Sequence, residues 1–522
     1  MISALRAEPS APYRIETVVL LVWASLYLTG LYFHEPWRDE VRAYSLMREG
    51  GDPVGIFLNL RNEGHPVLWY WVLWLVDQVV DNPLSLKVAA AGIGFATTAV
   101  ILFRLPLPLA LRVAIVFSFL SLHSMHIVAR NYGISVLLMM LFVDSALRHP
   151  NRHWQQLLLL ALFVNTNLYA LLMTPMIAAA VRWPEIRAFL LERDLRALRL
   201  LAIYGVVLAV AAAVAYAAGR TDETTRVLGS NLRVLDYGNG SLTVGAVVEA
   251  YRGAFSHVDL YQYYGIDVDA SKWLKRAMFA GFVLSLLASA RYFVPGIFCL
   301  FAFMTVSGLV YAGSNRHAIM LSLVLLTLFI LARARVLAAP PSWQRHVVHG
   351  ATLFWIVALV AASDVKSTYD DIKRQFTGAA LAANAAMARD EQRDIIAFSE
   401  AHTFIDALPY YMPDARIYQV REGEFRDFTL ITNAAVDHLS LGDLIDAAER
   451  LQAEHADAGV YLFTKTYLEG ENTSGGQDLG FGFTFSWEVG ELQRLRERFD
   501  NLGRFEPGIY GDERLTVYRL KN

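Results

Sequence analysis

Long apolar blocks separated by short polar turns fill the first two thirds of the chain. A helix needs about 20 apolar residues to cross the hydrocarbon core of a bilayer. Such blocks predict about eleven transmembrane helices, at 16–34, 85–103, 112–129, 131–147, 155–169, 170–183, 199–218, 276–291, 293–312, 317–334 and 347–364. The fifth and sixth require a tight turn in the segment TNLYALLMTP. The N-terminal polar stretch is too long for a cleaved signal peptide, so the first block is expected to be retained.

A further apolar run, HPVLWYWVLWLVDQVV at 65–80, decides the topology. If it does not cross, the basic residues of the short loops fall on one side, which the positive-inside rule assigns to the cytoplasm. The run is short and contains Asp77. It is therefore predicted to lie on the outer surface with Trp69, Trp71 and Trp74 at headgroup depth. An ordinary short span is the alternative.

This topology places the N-terminus in the cytoplasm and three segments outside: the 35–84 loop, the 219–275 loop and everything after 364. From 365 to 522 the chain becomes charged. Short β-like runs, HTFIDAL, ARIYQV, GVYLFTK and RLTVYRL, alternate with helix-like runs, DEQRDIIAFSEA and LGDLIDAAERLQAEHA. The alternation predicts a soluble α/β domain of about 150 residues after a transmembrane module at 1–364.

Composition agrees with a membrane protein. Of 522 residues, 55% are hydrophobic and 18% charged, against about a quarter charged in soluble domains. The net charge of −3 gives no indication of nucleic-acid binding. The single cysteine, Cys299, excludes an internal disulfide. No Gly-rich phosphate loop stands between a strand and a helix, so no nucleotide site is expected.

Acidic residues in the first outer loop are candidates for proton transfer. Asp39 and Glu40 stand shortly after the first span, and Glu63 and His65 stand within three residues before Pro66. A carboxylate near a substrate hydroxyl accepts its proton, although Asp39 and Glu63 in these positions are also typical helix caps. Two carboxylates and a histidine suit a divalent metal as well, but their spacing matches no known metal motif. No metal ligand is assigned.

Two outward arginines are candidates for anion binding. Arg130 lies in the hairpin before Tyr132, and Arg316 precedes His317 at the start of a later span. A guanidinium at membrane depth suits a phosphate. The alternative is an arginine whose side chain extends to the lipid headgroups.

Taken together, these motifs resemble the GT-C glycosyltransferases that use polyprenyl-phosphate sugars. The similarity is to the branch of bacterial protein O-mannosyltransferases, lipid A aminoarabinose transferases and rhizobial lipopolysaccharide galacturonosyltransferases. The motifs occur in the family's order: Asp39-Glu40, then Glu63-Gly64-His65-Pro66, then Ala129-Arg130-Asn131-Tyr132, then Arg316-His317. The aminoarabinose branch has a lysine where this chain has Gly64, which argues against that substrate. Arg42, Arg61 and His65 are the candidates for the missing contact.

The resemblance implies a GT-C fold and an inverting transfer of a hexose or pentose to an acceptor hydroxyl at the outer face of a bacterial inner membrane. It implies Asp39 as the base, Glu40 and Glu63 as its partners, and a donor phosphate held by Arg130, Tyr132, Arg316 and His317. No cofactor is required. The expected partners are the lipid-linked donor, membrane lipids and a glycan, lipid or protein acceptor.

The leading alternative is a transporter or flippase of an isoprenoid-linked glycan. Transporters place charge near the bilayer midplane, often in repeated halves. Here the charge lies at the outer edge and the halves differ. An O-antigen-type polymerase or ligase, or a membrane scaffold, is a further alternative.

Overall fold

A computed structural model describes residues 14–60, 63, 65–220, 276–278, 280–309, 315–390, 393–429, 432, 434–480, 482–507 and 513–521. The predicted 219–275 loop lies almost wholly outside these residues. Two regions follow one another along the chain: a bundle of helices and a C-terminal region built on β-sheets. The predicted class, a polytopic α-helical membrane protein with a C-terminal α/β region, is confirmed. The count of eleven spans stays a prediction.

The described helices of the bundle are α1 Arg14–Phe33, α2 Arg38–Gly50, α3 Pro53–Asn59, α4 Leu68–Val80, α5 Ser85–Phe103, α6 Leu109–Val116, α7 Asn131–Arg148, α8 His153–Val164, α9 Leu168–Val181, α10 Trp183–Glu192, α11 Leu195–Gly219, α12 Ala290–Leu309, α13 Asn315–Ala338 and α14 Trp343–Ala361. Five helical segments in the described part of the chain are long and apolar enough to cross a membrane: Arg14–Phe33, Ser85–Phe103, Asn131–Arg148, Leu195–Gly219 and Ile319–Ala338. Large apolar side chains on their outer faces are exposed, as Leu21 and Val206 are. Soluble proteins rarely expose an apolar surface of this extent. The protein is therefore an integral membrane protein.

Ion pairs show which helix ends lie together. Arg112, at the start of α6, contacts Glu16 at the start of α1 (3.0 Å). Arg104 follows the end of α5 and contacts Asp144 near the end of α7 (2.7 Å). Since α6 follows α5 after a short loop, the contact between α6 and α1 places the end of α5 on the same side as the start of α1. This arrangement fits an even number of crossings from α1 to α5, as expected if α4 lies on the membrane surface; the surface position of α4 stays a prediction.

Helix α4 is only 13 residues long, which corresponds to about 20 Å of helix. It packs against the bundle with Trp69 buried, while the indole N–H groups of Trp71 and Trp74 donate to the carbonyls of Pro53 and Gly51. Trp69 therefore contacts the bundle rather than lipid, and the placement of the three tryptophans at headgroup depth stays a prediction. Among the large apolar side chains of α4, Val79 is the most exposed.

The predicted span 112–129 is not one helix. Helix α6 ends at Val116, and a short π-helix, His123–Ile127, follows a turn. The amide of Phe119 donates to Ala362, and the amide of Asp364 donates to Phe117 (3.2 and 3.1 Å). The chain between the helices thus pairs with the end of α14. Non-helical backbone within a helical bundle is stable only when its polar groups are satisfied in this way.

Two other span boundaries are informative. The predicted turn between 155–169 and 170–183 is present: α8 ends at Val164, and Asn167 caps α9 by accepting the amide of Ala170 (2.9 Å). The predicted span 276–291 is shorter than expected, since its helical residues end at 284 and a turn precedes α12. Ser285 lies in that turn, where its hydroxyl donates to the carbonyl of Phe282 (2.6 Å) and stabilises a non-helical bend.

The C-terminal region contains α15 Val365–Lys373, α16 Ala379–Arg389, α17 Leu408–Tyr411, α18 Leu441–Glu454, α19 Val489–Arg498 and strands β1 Ile395–Phe398, β2 Arg416–Gln419, β3 Glu424–Phe425, β4 His438–Ser440, β5 Gly459–Thr464, β6 Gly475–Gly480, β7 Phe483–Trp487, β8 Phe499–Phe505 and β9 Leu515–Leu520. Six strands form one sheet in the order β3-β2-β1-β5-β9-β8, and three form a second, β4-β7-β6. Strand β1 is parallel to both β2 and β5, whereas β9 is antiparallel to β5.

Strand β1 corrects two predictions. Its residues IIAF lie in the run DEQRDIIAFSEA, which was expected to be helical, and the expected strand HTFIDAL forms turns instead. All four β1 side chains are buried. A central parallel strand is apolar on both faces, and short apolar runs of this kind cannot be distinguished from a buried helix by periodicity. The predicted strands around β2, β5 and β9 are present, as is the helix at α18.

Candidate functional site

The candidate site lies where α1 ends and α2 begins. Trp37 is extended and precedes the first residue of α2, and its amide donates to the carboxylate of Glu40 (3.2 Å). That carboxylate also accepts the amide of Ala129 (2.6 Å) and contacts Nε2 of His34 (3.0 Å). Glu40 is completely buried. It therefore ties the start of α2 to the segment that precedes α7.

Asp39 faces the other way. Its side chain is 34% exposed and forms an ion pair with the Nη1 atom of Arg130. Arg38 lies at 3.8 Å from its second oxygen. The position in the first turn of α2 also stabilises the carboxylate, because the N-terminus of a helix carries partial positive charge. Asp39 is thus an accessible carboxylate, paired with a guanidinium, at the edge of the bundle.

Arg130 is held in an extended conformation just before α7. Its guanidinium is 13% exposed, and its Nη2 atom lies 3.4 Å from Nε2 of His65. Burial lowers the pKa of Arg130, but Asp39 acts together with Tyr132, Tyr70 and Glu63 to raise it above its ordinary value. Arg130 is consequently a fixed cation with one edge directed to Asp39 and another to His65.

His65 is a neutral neighbour of this pair. Its Nδ1 lies 3.0 Å from the Glu63 carbonyl, to which a ring N–H can donate, so Nε2 is the atom left to accept from Arg130. Burial lowers the pKa of His65, and the Arg130 cation lowers it further. The histidine therefore accepts from Arg130 without adding a competing positive charge.

Glu63 and Arg42 form a second ion pair beside the first. Nε of Arg42 contacts Glu63 at 2.9 Å, and its Nη1 contacts Asp406 of the C-terminal region at 3.1 Å and the carbonyl of Thr429. Burial lowers the pKa of Arg42, but Glu63 and Asp406 outweigh it and raise the pKa. Arg42 is already bound to three acceptors, so it positions Glu63 rather than offering an open cation.

A third contact lies deeper. The hydroxyl of Tyr132 on α7 is 2.9 Å from Nε2 of His317 on α13. The Tyr169 ring of α9 lies 4.9 Å from the His317 ring. Tyr132 follows Arg130 by two residues, so this pair continues the same wall of the site into the bundle.

Most of the predicted site residues are thus brought together. Asp39, Arg130, His65, Glu63 and Arg42 form one continuous network, with Tyr132 and His317 beside it. Arg61 and the side chain of Arg316 lie outside the described residues.

Sequence reasoning did not single out the residues beneath this network. His34, His123 and Asp371 meet below Glu40. The histidines carried a weak signal, because one precedes the Asp-Glu pair and the other lies in FSFLSLHSMHI, where three serines and two histidines interrupt the apolar block 112–129. Asp371 carried none, since it is more than 300 positions away from His34 in sequence.

These three residues are the group, within the described part of the chain, whose donor atoms lie close enough together for a metal ion. Nδ1 of His34 and Nε2 of His123 lie 2.7 and 2.9 Å from the same oxygen of Asp371. Burial lowers the pKa of His34, but the carboxylates of Glu40 and Asp371 raise it to about 9.

The C-terminal region covers one side of the site. The amide of Arg38 donates to Glu513 (2.9 Å), and the hydroxyl of Tyr411 donates to the Pro36 carbonyl (2.7 Å). The Phe404 ring, which follows β1, lies 4.5 Å from the Arg38 guanidinium and 4.3 Å from the Lys465 ammonium. The edge of the sheet region and the start of α2 therefore form one surface next to Asp39.

No family model matches the chain, and no curated protein matches it. Among solved structures, it is similar to the crystal structure of ArnT from Cupriavidus metallidurans bound to undecaprenyl phosphate, with 11% sequence identity and a TM-score of 0.47 over 98% of each chain.

Proposed function

We propose that the protein is an inverting glycosyltransferase that moves a sugar from a polyprenyl-phosphate carrier to an acceptor hydroxyl. The observation that supports this most directly is the ion pair between Asp39, which is partly exposed, and Arg130, which is mostly buried. A base and a phosphate-binding cation are the two groups that such a transfer requires, and they adjoin each other where the first helix ends. The order of the motifs in the sequence supports the same reading.

Arg130 binds the donor phosphate. A guanidinium presents parallel N–H donors that match phosphate oxygens. As the bond between the anomeric carbon and the phosphate oxygen breaks, negative charge grows on the polyprenyl phosphate. A cation that is already in place stabilises that charge without reorganisation. His317 and Tyr132 lie along the same wall and hold the phosphate or the sugar next to it.

Asp39 accepts the acceptor proton. The hydroxyl oxygen attacks the anomeric carbon, its proton passes to Asp39, and polyprenyl phosphate leaves with the bonding electron pair. One direct displacement inverts the anomeric configuration. Glu40 is buried, so it acts as a positioning residue for Asp39 and Arg130 through its contacts with Trp37 and Ala129.

The ion pair also suggests an order of events. With no donor present, Asp39 and Arg130 neutralise each other. A donor phosphate competes for the guanidinium and releases the carboxylate toward the acceptor. Because an ion pair lowers the basicity of a carboxylate, Asp39 becomes a better base only after the donor has bound. Such coupling limits proton abstraction from water when no sugar is in place.

The acceptor approaches from the side covered by the C-terminal region. We place the site at the outer face of a bacterial inner membrane, with the N-terminus cytoplasmic and the sheet region periplasmic. The clustering of Arg104, Arg112 and Arg148 at the opposite end of the bundle supports this orientation.

The test is a transfer assay on the purified protein in nanodiscs, with radiolabelled polyprenyl-phosphate hexoses and pentoses and a crude envelope extract. Asp39→Asn should lower transfer by about 10²–10⁴-fold, the usual contribution of a general base, while donor binding persists. Glu49→Gln, an exposed change near the end of α2, is the matched control and should behave as wild type.

Transfer by Asp39→Asn at the wild-type rate would remove Asp39 from the role of base. Absence of transfer from every donor, together with movement of the lipid-linked glycan across vesicles, would instead identify the transporter alternative.

A further inference from the structure

The group of His34, His123 and Asp371 lies outside the proposed chemistry. Their exposed fractions are 2%, 3% and 2%. They come from three distant parts of the chain: the residue after α1, the π-helix and α15. Their donor atoms lie within 4.8 Å of one another. Two imidazoles and a carboxylate are a ligand set that zinc uses widely.

The surroundings of His34 match those of a metal ligand. A ligating histidine normally donates its other ring N–H to a carboxylate, which fixes the ring and its tautomer. Nδ1 of His34 faces Asp371, and Nε2 lies 3.0 Å from Glu40. Glu40 is itself held by two backbone amides. The group therefore has a second layer of hydrogen bonds as well as its own three donors.

An unsatisfied oxygen points to a further occupant. Among the described residues, Oδ1 of Asp371 has no hydrogen-bond partner, although the atom is buried. A buried carboxylate oxygen without a partner is destabilising, typically by about 1–3 kcal/mol. Bidentate ligation by Asp371, or a water bound to a metal, satisfies this atom.

Charge balance points the same way. Glu40 and Asp371 are two buried carboxylates, and the described side chains that hydrogen-bond to them are His34 and His123. Buried charges require compensation. Protonation of His34 alone balances one of the two carboxylates, whereas a dication with two neutral imidazoles balances both.

We propose that His34, His123 and Asp371 bind a structural zinc-type divalent ion that fastens α15 to the end of α1 and to the π-helix beneath the site. Ligand atoms on a tetrahedral zinc lie about 3.3 Å apart. The present separations of 2.7 and 2.9 Å need to widen only by a few tenths of an ångström. The site is closed to solvent, so the ion stabilises the fold rather than activating water.

The test is the metal content of the full-length protein, purified in detergent, incubated with ZnCl₂, desalted and measured by plasma mass spectrometry. Wild type should retain about one zinc per chain. His123→Gln keeps a donor for Asp371 but removes the imidazole, and Asp371→Asn keeps the shape. Both should lose the ion. His126→Gln changes a neighbouring histidine of the same π-helix and should keep it.

Some of these variants are at risk of misfolding, so the wild-type protein provides a second measurement. Protein stripped with a chelator should unfold at a lower temperature and recover on addition of ZnCl₂, because a ligand that binds only the folded state stabilises it. Wild type that retains no zinc and shows no change in unfolding temperature would overturn the proposal, as would His123→Gln retaining zinc at the wild-type level. In either case the three residues would form a hydrogen-bonded cluster without a metal.

Discussion

At the scale of single residues, the neighbours Asp39 and Glu40 have opposite environments. Successive residues of a helix point about 100° apart, so one carboxylate faces the edge of the bundle while the other faces its interior. The buried one accepts two backbone amides and contacts His34. The exposed one has Arg130 as its principal partner. Proton transfer requires an accessible carboxylate, which fits Asp39. Positioning of neighbouring residues requires a buried and fixed carboxylate, which fits Glu40.

The neutral state of His65 has a consequence for pH dependence. Because burial and Arg130 lower its pKa below the ordinary value of about 6.5, the unfolded chain binds a proton that the folded site excludes. Stability should therefore be unaffected by His65 above about pH 7 and should fall as the pH drops below about 6.5, toward the folded pKa. Each unit of pKa difference corresponds to at most about 1.4 kcal/mol.

His65→Asn provides the comparison, since an amide accepts from Arg130 and donates to the Glu63 carbonyl but does not titrate. Unfolding temperatures of both proteins, measured from pH 8 to pH 5, should run parallel above about pH 7 and diverge below about 6.5, with wild type falling more steeply. Curves that stay parallel to pH 5 would show that the histidine is protonated without penalty.

At the scale of elements, the break between α6 and α7 places Arg130 correctly. If 112–129 were one continuous helix, the position of Arg130 would be set by the turn of about 100° per residue of that helix. The π-helix and the extended Val128–Arg130 stretch instead let α7 restart with its first residues facing Asp39 and His317. Gly133 makes this restart possible, since a Cβ at that position would lie 2.6 Å from the Met125 carbonyl of the π-helix.

Gly133→Ala should therefore displace the π-helix or the start of α7. Overpacking of this kind costs about 1–3 kcal/mol, and transfer activity should fall because Arg130 lies three residues away. Gly92→Ala, on α5, places a Cβ where no atom lies within 4 Å, and should leave both stability and activity intact. Thermal unfolding and the transfer assay on the two variants test this. Equal behaviour of the two alanine variants would show that the contact with Met125 relaxes freely.

The same elements show what the sequence could and could not predict. Long apolar blocks such as α7 and α13 follow from hydrophobicity alone. Asp39, Glu63 and Arg130 were each singled out from charges at the ends of such blocks, and the family resemblance implied that they share one site. Strand β1 was not predicted, because a strand that is apolar on both faces shows no alternation of apolar and polar residues. The partners of the site in the C-terminal region were missed as well, because contacts across hundreds of residues leave no local pattern.

At the scale of the whole molecule, the C-terminal region is fastened to the site. Val41 of α2 packs into the same apolar cluster as Phe404 and Leu408 of the sheet region. Hydrogen bonds from Arg38 to Glu513 and from Tyr411 to Pro36 flank this contact. The interface reaches within one helical turn of Asp39, so a change in how this region docks alters the geometry of the proposed base.

Arg42 is a further polar link between the two regions: its side chain is 19% exposed and joins Glu63 to Asp406. Arg42→Met keeps the length of the side chain but leaves two carboxylates without their cation. Removing one partner of such a pair costs on the order of 3 kcal/mol. We expect faster hydrogen exchange around Thr429, whose amide donates to Asp406, and lower transfer activity because Glu63 is released.

Arg494→Met is the matched control. Arg494 also contacts two carboxylates, Asp446 and Glu449, but it is 39% exposed and lies within the C-terminal region. Exposed pairs contribute at most about 1 kcal/mol, so this variant should exchange and react as wild type does. If Arg42→Met likewise left exchange around Thr429 unchanged, the apolar contact of Val41 and Phe404 would be sufficient to dock the region. The effect of Arg42 on transfer would then have to act through Glu63 alone.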